Sequence, residues 1–191
     1  MKRLTAVILV LLVGVAALVG CAKKGPTETI DQPQDALALL VESKDSETGI
    51  TIYINQRSDL LTGAYFYPYL EKVGDDLRLR IRFHYYDKGT WLNVSRYTIE
   101  ADGVSYSVTF DADTDKADYE QIDGGTADIM DILADEDEIA ILKAVAVASE
   151  AKITAFGMDR HGERLVSDEE RIVTQEVLSA YEQMTSKAST Q

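Results

Sequence analysis

The sequence predicts a mixed α+β fold: an antiparallel β meander of about four or five strands, then helix, strand and a C-terminal helix packed on the sheet. Three observations lead to this prediction. Apolar and polar residues alternate along residues 76–86, turn residues at 87–89 and 102–103 separate β-prone runs, and helical spacing of apolar residues begins after position 138.

The first predicted elements are short. Asp35 can cap a helical turn that extends to Val41. A strand is expected at residues 50–55, where isoleucine alternates with polar residues. Residues 64–71 are rich in β-prone aromatics. Pro68 has no N–H to give to a sheet ladder, so we expect this run to form an edge strand.

The strand at residues 76–86 is the clearest element of the sequence. One face carries Leu77, Leu79, Ile81, Phe83 and Tyr85, and the other carries Arg78, Arg80, Arg82, His84 and Tyr86. We expect the first face to be covered and the second to be wet. Strands at residues 90–101 and 104–110, joined by the tight turn Asp102-Gly103, extend the meander. The polar residues 111–128 are predicted to connect it to the helices.

Helical signals dominate the last third of the chain. Four acids at positions 135–138 precede an alanine-rich helix at residues 139–148, where they favour the helix macrodipole. A short strand at residues 152–156 and a turn at 159–162 follow. Ser167 and Glu170 form a capping box that opens the final helix. Its expected buried stripe consists of Val173, Val177, Ala180, Tyr181 and Met184.

Composition and charge restrict the partners of the chain. The 191 residues are 46% hydrophobic, which is ordinary for a globular protein, and they carry a net charge of −14. Removing the first twenty residues removes only two cations, so the remaining chain would carry −16. This excess of negative charge repels phosphate backbones and anionic lipid headgroups. We therefore expect no nucleic-acid binding and no attachment to a membrane through a basic surface.

The N-terminus has the layout of an export signal. Lys2 and Arg3 form a positive region, residues 4–17 are apolar, and Leu18-Val19-Gly20-Cys21 follows. These last four residues resemble the lipobox of bacterial prolipoproteins. The resemblance implies that the chain is exported, cut before Cys21 and held on a membrane by acyl chains attached to that cysteine. The alternative is an uncleaved transmembrane helix over residues 4–22.

The resemblance also implies a location outside the cytoplasm. Position 22 is Ala rather than Asp, which in a bacterium with two membranes favours the outer membrane, facing the periplasm. In a host with one membrane, the same anchor implies the outer face of the cell membrane. Cys21 is the only cysteine, so the domain has no disulfide, no thiol nucleophile and no cysteine-ligated metal.

The chain is therefore expected to have four parts. These are a signal peptide (residues 1–20), the lipidated Cys21 with a flexible tether (21–34), one soluble α+β domain (35–184) and a frayed tail (185–191).

Three groups of residues are candidate binding sites. Arg78, Arg80, Arg82 and His84 form a row that could bind an anion, although we favour a solvated face whose arginines pair with acids on adjacent strands.

The second group has the spacing of calcium ligands and consists of Asp111, Asp113 and Asp115, with Asp118 or Glu120 as a further ligand. Lys116 and Ile122 stand where an EF-hand loop needs Gly and an acid. An acidic hairpin end that blocks edge pairing is the favoured interpretation.

The aromatic residues form the third group. Such side chains can stack on sugar rings or line a wet groove. They are Tyr65, Phe66, Tyr67, Tyr69, Tyr85, Tyr86 and Trp91.

No catalytic or cofactor motif is present in the sequence. His161 is expected in an exposed turn, and we name no catalytic residue, metal ligand or cofactor. The leading hypothesis is a membrane-anchored, non-enzymatic envelope lipoprotein that binds a protein or another envelope component. The alternative is a carrier that binds a small ligand or glycan through the tyrosine-rich strands. A more distant alternative is an envelope hydrolase that uses two acids, or His84 with an acid.

Overall fold

Ten strands in two antiparallel sheets, together with two α-helices, make up the described part of the computed structural model, which covers residues 35–111, 113–122 and 124–188. These residues all lie in one compact unit, 32–191. The signal segment, Cys21 and the tether lie outside the described residues, and so do residues 189–191. The predictions made for them therefore remain predictions.

The strands and helices have the following bounds. The strands are β1 (Leu40–Lys44), β2 (Thr51–Asn55), β3 (Tyr65–Val73), β4 (Asp76–Asp87), β5 (Arg96–Ala101), β6 (Val104–Thr109), β7 (Lys116–Ile122), β8 (Gly125–Leu133), β9 (Ala151–Phe156) and β10 (His161–Leu165). The helices are α1 (Glu136–Val147) and α2 (Asp168–Ala188), with two 3₁₀ helices at Ala36–Leu39 and Gln56–Leu60.

The first sheet has the strand order β1-β2-β3-β4-β8-β7, and the second has the order β10-β9-β5-β6. The mixed α+β class and the packing of the C-terminal helix on a sheet are confirmed: α2 lies against β3. The prediction of a single meander is wrong. β4 pairs with β8, whereas β5 pairs with β6 and β9 in the second sheet.

The loop between β4 and β5 explains why the meander divides. Asp128 on β8 is buried, and its carboxylate accepts the backbone N–H of Val94 at 3.1 Å. Leu92 and Val94 are buried beside it, and Asn93 has a φ of 55°. The carboxylate therefore holds this loop against the first sheet, and the chain starts a second sheet instead of turning back on β4.

The prediction that residues 64–71 form an edge strand is also wrong. β3 lies inside the first sheet, where Pro68 pairs with Ile81 of β4. β2 covers only residues 70–72 of β3. The N–H of Phe66 points away from β4 and donates to Glu170 of α2 at 2.8 Å. Since N–H direction alternates along a strand, the nitrogen of Pro68 faces the same side, which β2 leaves unpaired.

Four strands arise where none was predicted, namely β1, β7, β8 and β10. The polar residues 111–128 contain β7 and the first part of β8, joined by a turn in which Gly124 has a φ of 80°. The predicted turn at 159–162 ends at Arg160, because His161 and Gly162 already belong to β10. The predicted helical turn after Asp35 ends at Leu39, and β1 begins at Leu40. At the other end, α2 runs past the predicted frayed boundary to Ala188.

Helix starts and the core follow the sequence closely. Asp135 and Glu138 form a capping box at α1, and Ser167 and Glu170 form one before α2. The core is built from apolar side chains of both sheets and both helices. Its fully buried members include Phe66, Leu70, Leu79, Ile81, Phe83, Ile99, Val108, Leu142, Val145, Val173, Val177 and Ala180. None of the described helices is long and apolar enough to cross a membrane.

Candidate functional site

A cavity of about 170 Å³ opens between the two sheets, beside the start of β3. β3 begins at Tyr65, opposite His84, and β4 runs on past this point. β10 passes alongside β4 here. Both sheets contribute to the lining, which consists of Ala64, Tyr65, Phe83, His84, Tyr85, Tyr86, Tyr97, Ile153, Ala155, Gly162, Glu163 and Arg164.

A pair of stacked aromatic rings and two apolar side chains form part of the cavity lining. The rings of Phe83 and Tyr97 stack with centroids 4.2 Å apart, next to Ile153 and Ala155. Tyr97 is only 3% exposed, and no described residue forms a hydrogen bond with its hydroxyl. Burial raises the pKa of Tyr97, so the hydroxyl stays protonated and is available as a donor. A buried donor without a partner is unfavourable, and a bound group with an acceptor oxygen would relieve it.

Aromatic side chains also form the rim. Tyr65 stacks on His84 with ring centroids 4.5 Å apart, and the two rings are nearly parallel. The Nδ1 of His84 lies 2.8 Å from the carbonyl oxygen of Gly63. A carbonyl oxygen can only accept, so Nδ1 carries the proton in this hydrogen bond. Tyr86 donates its hydroxyl to the carbonyl of Gly124 at 3.0 Å.

A glycine allows the two sheets to meet at this point. Gly162 of β10 packs directly on the ring of Tyr85, and a Cβ at position 162 would overlap that ring and its hydroxyl. Burial raises the pKa of Tyr85. Gly162 therefore allows close approach of β10, and the width of the cavity depends on that approach.

The carboxylate of Glu170 holds together the side of the cavity next to Gly162. Glu170 is 2% exposed and accepts both Nη1 and Nη2 of Arg164, at 2.9 and 2.6 Å. It also accepts the N–H of Phe66 at 2.8 Å and the N–H and hydroxyl of Ser167 at 2.7 and 2.9 Å. One side chain thus joins β3, β10 and the start of α2, and it neutralises the arginine that lines the cavity.

A second depression of about 340 Å³ continues the first. The two share Ala64, Tyr65 and Arg164 as lining residues, so they form one groove. Leu60 and Leu165 line the second part and are 66% and 62% exposed. We call the two depressions together the inter-sheet groove.

The arginine row predicted on β4 pairs with acids, but its centre is buried rather than wet. Arg80 is 3% exposed and donates Nε to Asp131 of β8 at 2.6 Å. Arg82 donates to the same carboxylate at 2.9 Å, and Tyr69 donates its hydroxyl to it at 2.7 Å. Arg78, half-exposed, pairs with Asp76 at 2.7 Å. The Asp131 carboxylate is fully occupied by Arg80, Arg82 and Tyr69, so the arginine row forms a structural network.

Three of the aspartates considered as calcium ligands, Asp111, Asp115 and Asp118, accept backbone N–H groups. The carboxylate of Asp115 accepts the N–H groups of Asp111 and Leu133, both at 2.8 Å, and Asp111 accepts that of Asp113 at 2.9 Å. Asp118 accepts the N–H of Tyr119. Within the described ranges, no three His, Cys, Asp or Glu side chains are grouped so that they could hold a metal ion.

The predicted aromatic group divides between core and cavity. Tyr65, Tyr85 and Tyr86 line the cavity. Phe66, Tyr67 and Tyr69 are buried elsewhere in the domain, and Trp91 is exposed on the loop after β4. His161 is exposed as expected, at the start of β10 rather than in a turn.

Three cavity residues were missed by sequence reasoning. Tyr97 lies in an alternating strand that the sequence did predict, so the burial of its side chain could have been inferred from the sequence. The roles of Gly162 and Arg164 depend on β10, a five-residue strand whose sequence HGERL has no apolar alternation.

No protein-family model matches the chain, and neither a curated protein nor a solved structure is significantly similar to it.

Proposed function

We propose that this chain is a lipid-anchored, non-enzymatic binding protein of the bacterial envelope that holds its partner in the inter-sheet groove. The observation that supports this most is Tyr97, which lines the cavity with three further tyrosines and whose buried hydroxyl lacks a hydrogen-bond partner among the described residues. Binding pockets in proteins combine an apolar lining with a few polar groups of this kind.

The remaining part of the proposal concerns the anchor. The lipobox-like residues ending at Cys21 would attach the chain to a membrane outside the cytoplasm. The net charge of −14 leaves the acyl chains as the means of attachment, because an acidic surface is repelled by anionic headgroups. The outer membrane of a two-membrane host is the proposed location.

The same groove supports a second candidate, the binding of a small ligand or glycan. Tyr65, Tyr85 and Tyr86 at the cavity can stack on a ring, and a cavity of about 150 Å³ is large enough to hold benzene in another protein. The hydrolase alternative has less support. His84 is engaged with Tyr65 and Gly63, and no described carboxylate forms a hydrogen bond with it.

Site-specific photo-crosslinking in the native envelope tests the proposal. Replacing Tyr86 with p-benzoylphenylalanine puts the reactive group at the groove, and the same replacement of Tyr119 on β7 is the matched control. We expect an adduct at position 86 that position 119 does not give. A large shift in mass identifies a polypeptide, and a small one identifies a ligand. No adduct at 86, or the same adducts at both positions, would refute the proposal.

A further inference from the structure

We propose that the partner held in the inter-sheet groove is an extended polypeptide segment of another protein, which adds as a strand to the open edge of β10 and places one large apolar side chain in the cavity. This inference rests on the proposed function, because it names the class of partner bound at the same groove. It comes from the geometry of the β10 backbone, the shape of the groove and the net charge of the chain.

The backbone of β10 shows which of its groups are available. Val166 donates its N–H to the carbonyl of Ala151 at 2.8 Å just after the strand, and Gly157 donates to Arg160 at 3.0 Å just before it. Hydrogen-bonded pairs recur every second residue in an antiparallel ladder, so the even-numbered residues of β10 face β9. The odd-numbered residues, with Glu163 at the centre, therefore direct N–H and C=O to the opposite edge.

That opposite edge is the end of the second sheet. Within the described residues, β10 is terminal in its sheet, and no strand pairs with its outer side. The carbonyl of Leu165 accepts Nη1 of Arg164 at 3.1 Å, which leaves Glu163 as the centre of the open stretch. An edge with a row of free N–H and C=O groups is a template for an added strand.

The groove follows this edge. Gly162, Glu163 and Arg164 line its first part, and Arg164 and Leu165 line its second part. Side chains of a strand added beside β10 would alternate between the two faces of the sheet, so every second one would enter the groove. The cavity volume of about 170 Å³ is close to the 150 Å³ or so that holds benzene. It therefore suits one side chain the size of Phe or Leu.

The net charge of the chain, rather than the acids of the groove, favours a basic partner. Glu163, Glu169 and Glu170 line the groove and already pair with Lys152, Arg57 and Arg164, at 3.3, 3.2 and 2.6 Å respectively. The net charge of −14 adds long-range attraction for cations. A second copy of this chain carries the same negative charge, so edge-to-edge pairing of two copies is disfavoured.

Designed peptides test the inference on the full mature chain. The probes are end-blocked pentapeptides Lys-Thr-X-Thr-Lys with X as Phe, Leu or Ala, and the acidic form Glu-Thr-Phe-Thr-Glu. The protein variants are Glu163→Pro and its matched control Glu163→Ala. Both remove the carboxylate and its ion pair with Lys152 of β9, neither touches the backbone ladder to β9, and only the proline also removes the outward N–H. Circular dichroism and thermal unfolding check that both variants fold, and fluorescence anisotropy measures Kd.

We expect the Phe and Leu peptides to bind at least tenfold more tightly than the Ala and acidic peptides, and Glu163→Pro to weaken binding at least tenfold relative to Glu163→Ala. Equal affinities of the two variants, or no binding of any peptide, would overturn the inference. A concentration-dependent dimer abolished by Glu163→Pro would also overturn it in favour of self-association. If a groove adduct still forms in the crosslinking experiment, the proposed function survives that failure. If position 86 gives no adduct, the proposed function itself fails.

Discussion

Glu170 is expected to be the most important single carboxylate for the stability of the groove. Replacing it with Gln keeps its shape but removes its charge and one of its two acceptor oxygens. Five donors from Arg164, Phe66 and Ser167 then compete for one oxygen, and the new amide group faces donors instead of acceptors. Breaking a buried charged pair costs about 3–5 kcal/mol, and we expect Glu170→Gln to lower the free energy of unfolding by about 3 kcal/mol.

The neighbouring position supplies the control for this prediction. Glu169 also pairs with an arginine, Arg57, at 3.2 Å, but both side chains are partly exposed. Exposed pairs contribute about 0.2–1 kcal/mol, so we expect Glu169→Gln to change stability by about 0.5 kcal/mol or less. Equilibrium urea unfolding, followed by circular dichroism and by the fluorescence of Trp91, gives both values. A difference of less than about 1 kcal/mol between the two variants would show that Glu170 does not hold the wall as described.

Five further substitutions give separable outcomes. Tyr97→Phe removes a buried hydroxyl without a described partner, so it should stabilise the free protein by about 1 kcal/mol. Tyr69→Phe breaks a 2.7 Å hydrogen bond to the buried carboxylate of Asp131, so it should destabilise the protein by about 2 kcal/mol. Thermal unfolding distinguishes the two variants, and equal shifts in Tm would contradict the view that only the Tyr69 hydroxyl has a partner. Gly162→Ala should cost about 1–3 kcal/mol, because its methyl group overlaps a tyrosine ring; unchanged stability in urea would argue against close packing there. Burial raises the pKa of the Asp128 carboxyl, so its contribution to stability is complete below its unfolded pKa of about 4 and is lost as pH rises through the folded value. The stability of the wild type relative to Asp128→Asn should therefore fall as pH rises from about 4, and a pH-independent difference in urea titrations would disprove this. Cys21→Ser should move the protein from the membrane fraction to the soluble fraction and remove the acyl mass, while a protein that stays in the membrane would contradict the anchor.

Local patterns in the sequence were sufficient to predict the helices and the hairpin turn. The capping box of Ser167 and Glu170 and the stripe through Val173 and Val177 depend on residues three or four apart, so they can be read directly from the sequence. Asp102, with a φ of 47°, similarly forms the expected tight turn with the glycine that follows it.

The division into two sheets could not be obtained in the same way. Whether β5 pairs with β4 or with β9 depends on contacts far apart in sequence, and the deciding contact is the buried Asp128 that binds the loop before β5. β8 was missed for a related reason. Both of its faces are covered, and Asp128 and Asp131 occupy buried positions, so apolar alternation is absent where the strand is central.

The candidate site was predictable only in part. Tyr65 and Tyr86 were correctly singled out as aromatic residues that could line a cavity. The cavity itself is formed by the meeting of β4 with β10, which depends on Gly162 and on the contacts of Glu170 with three separate elements. Such long-range contacts leave no local pattern in the sequence.

Thiol labelling in the native envelope measures occupancy of the groove most directly. The chain has a single cysteine, so a cysteine introduced at Ala64, which lines both parts of the groove, is readily distinguished. Ala117→Cys on the exposed strand β7 is the control. If the groove holds a partner, maleimide should label position 64 at least tenfold more slowly in native envelopes than in protein purified under denaturing conditions and refolded, with position 117 unchanged. Equal labelling rates at position 64 in the two preparations would contradict a binding function for the groove.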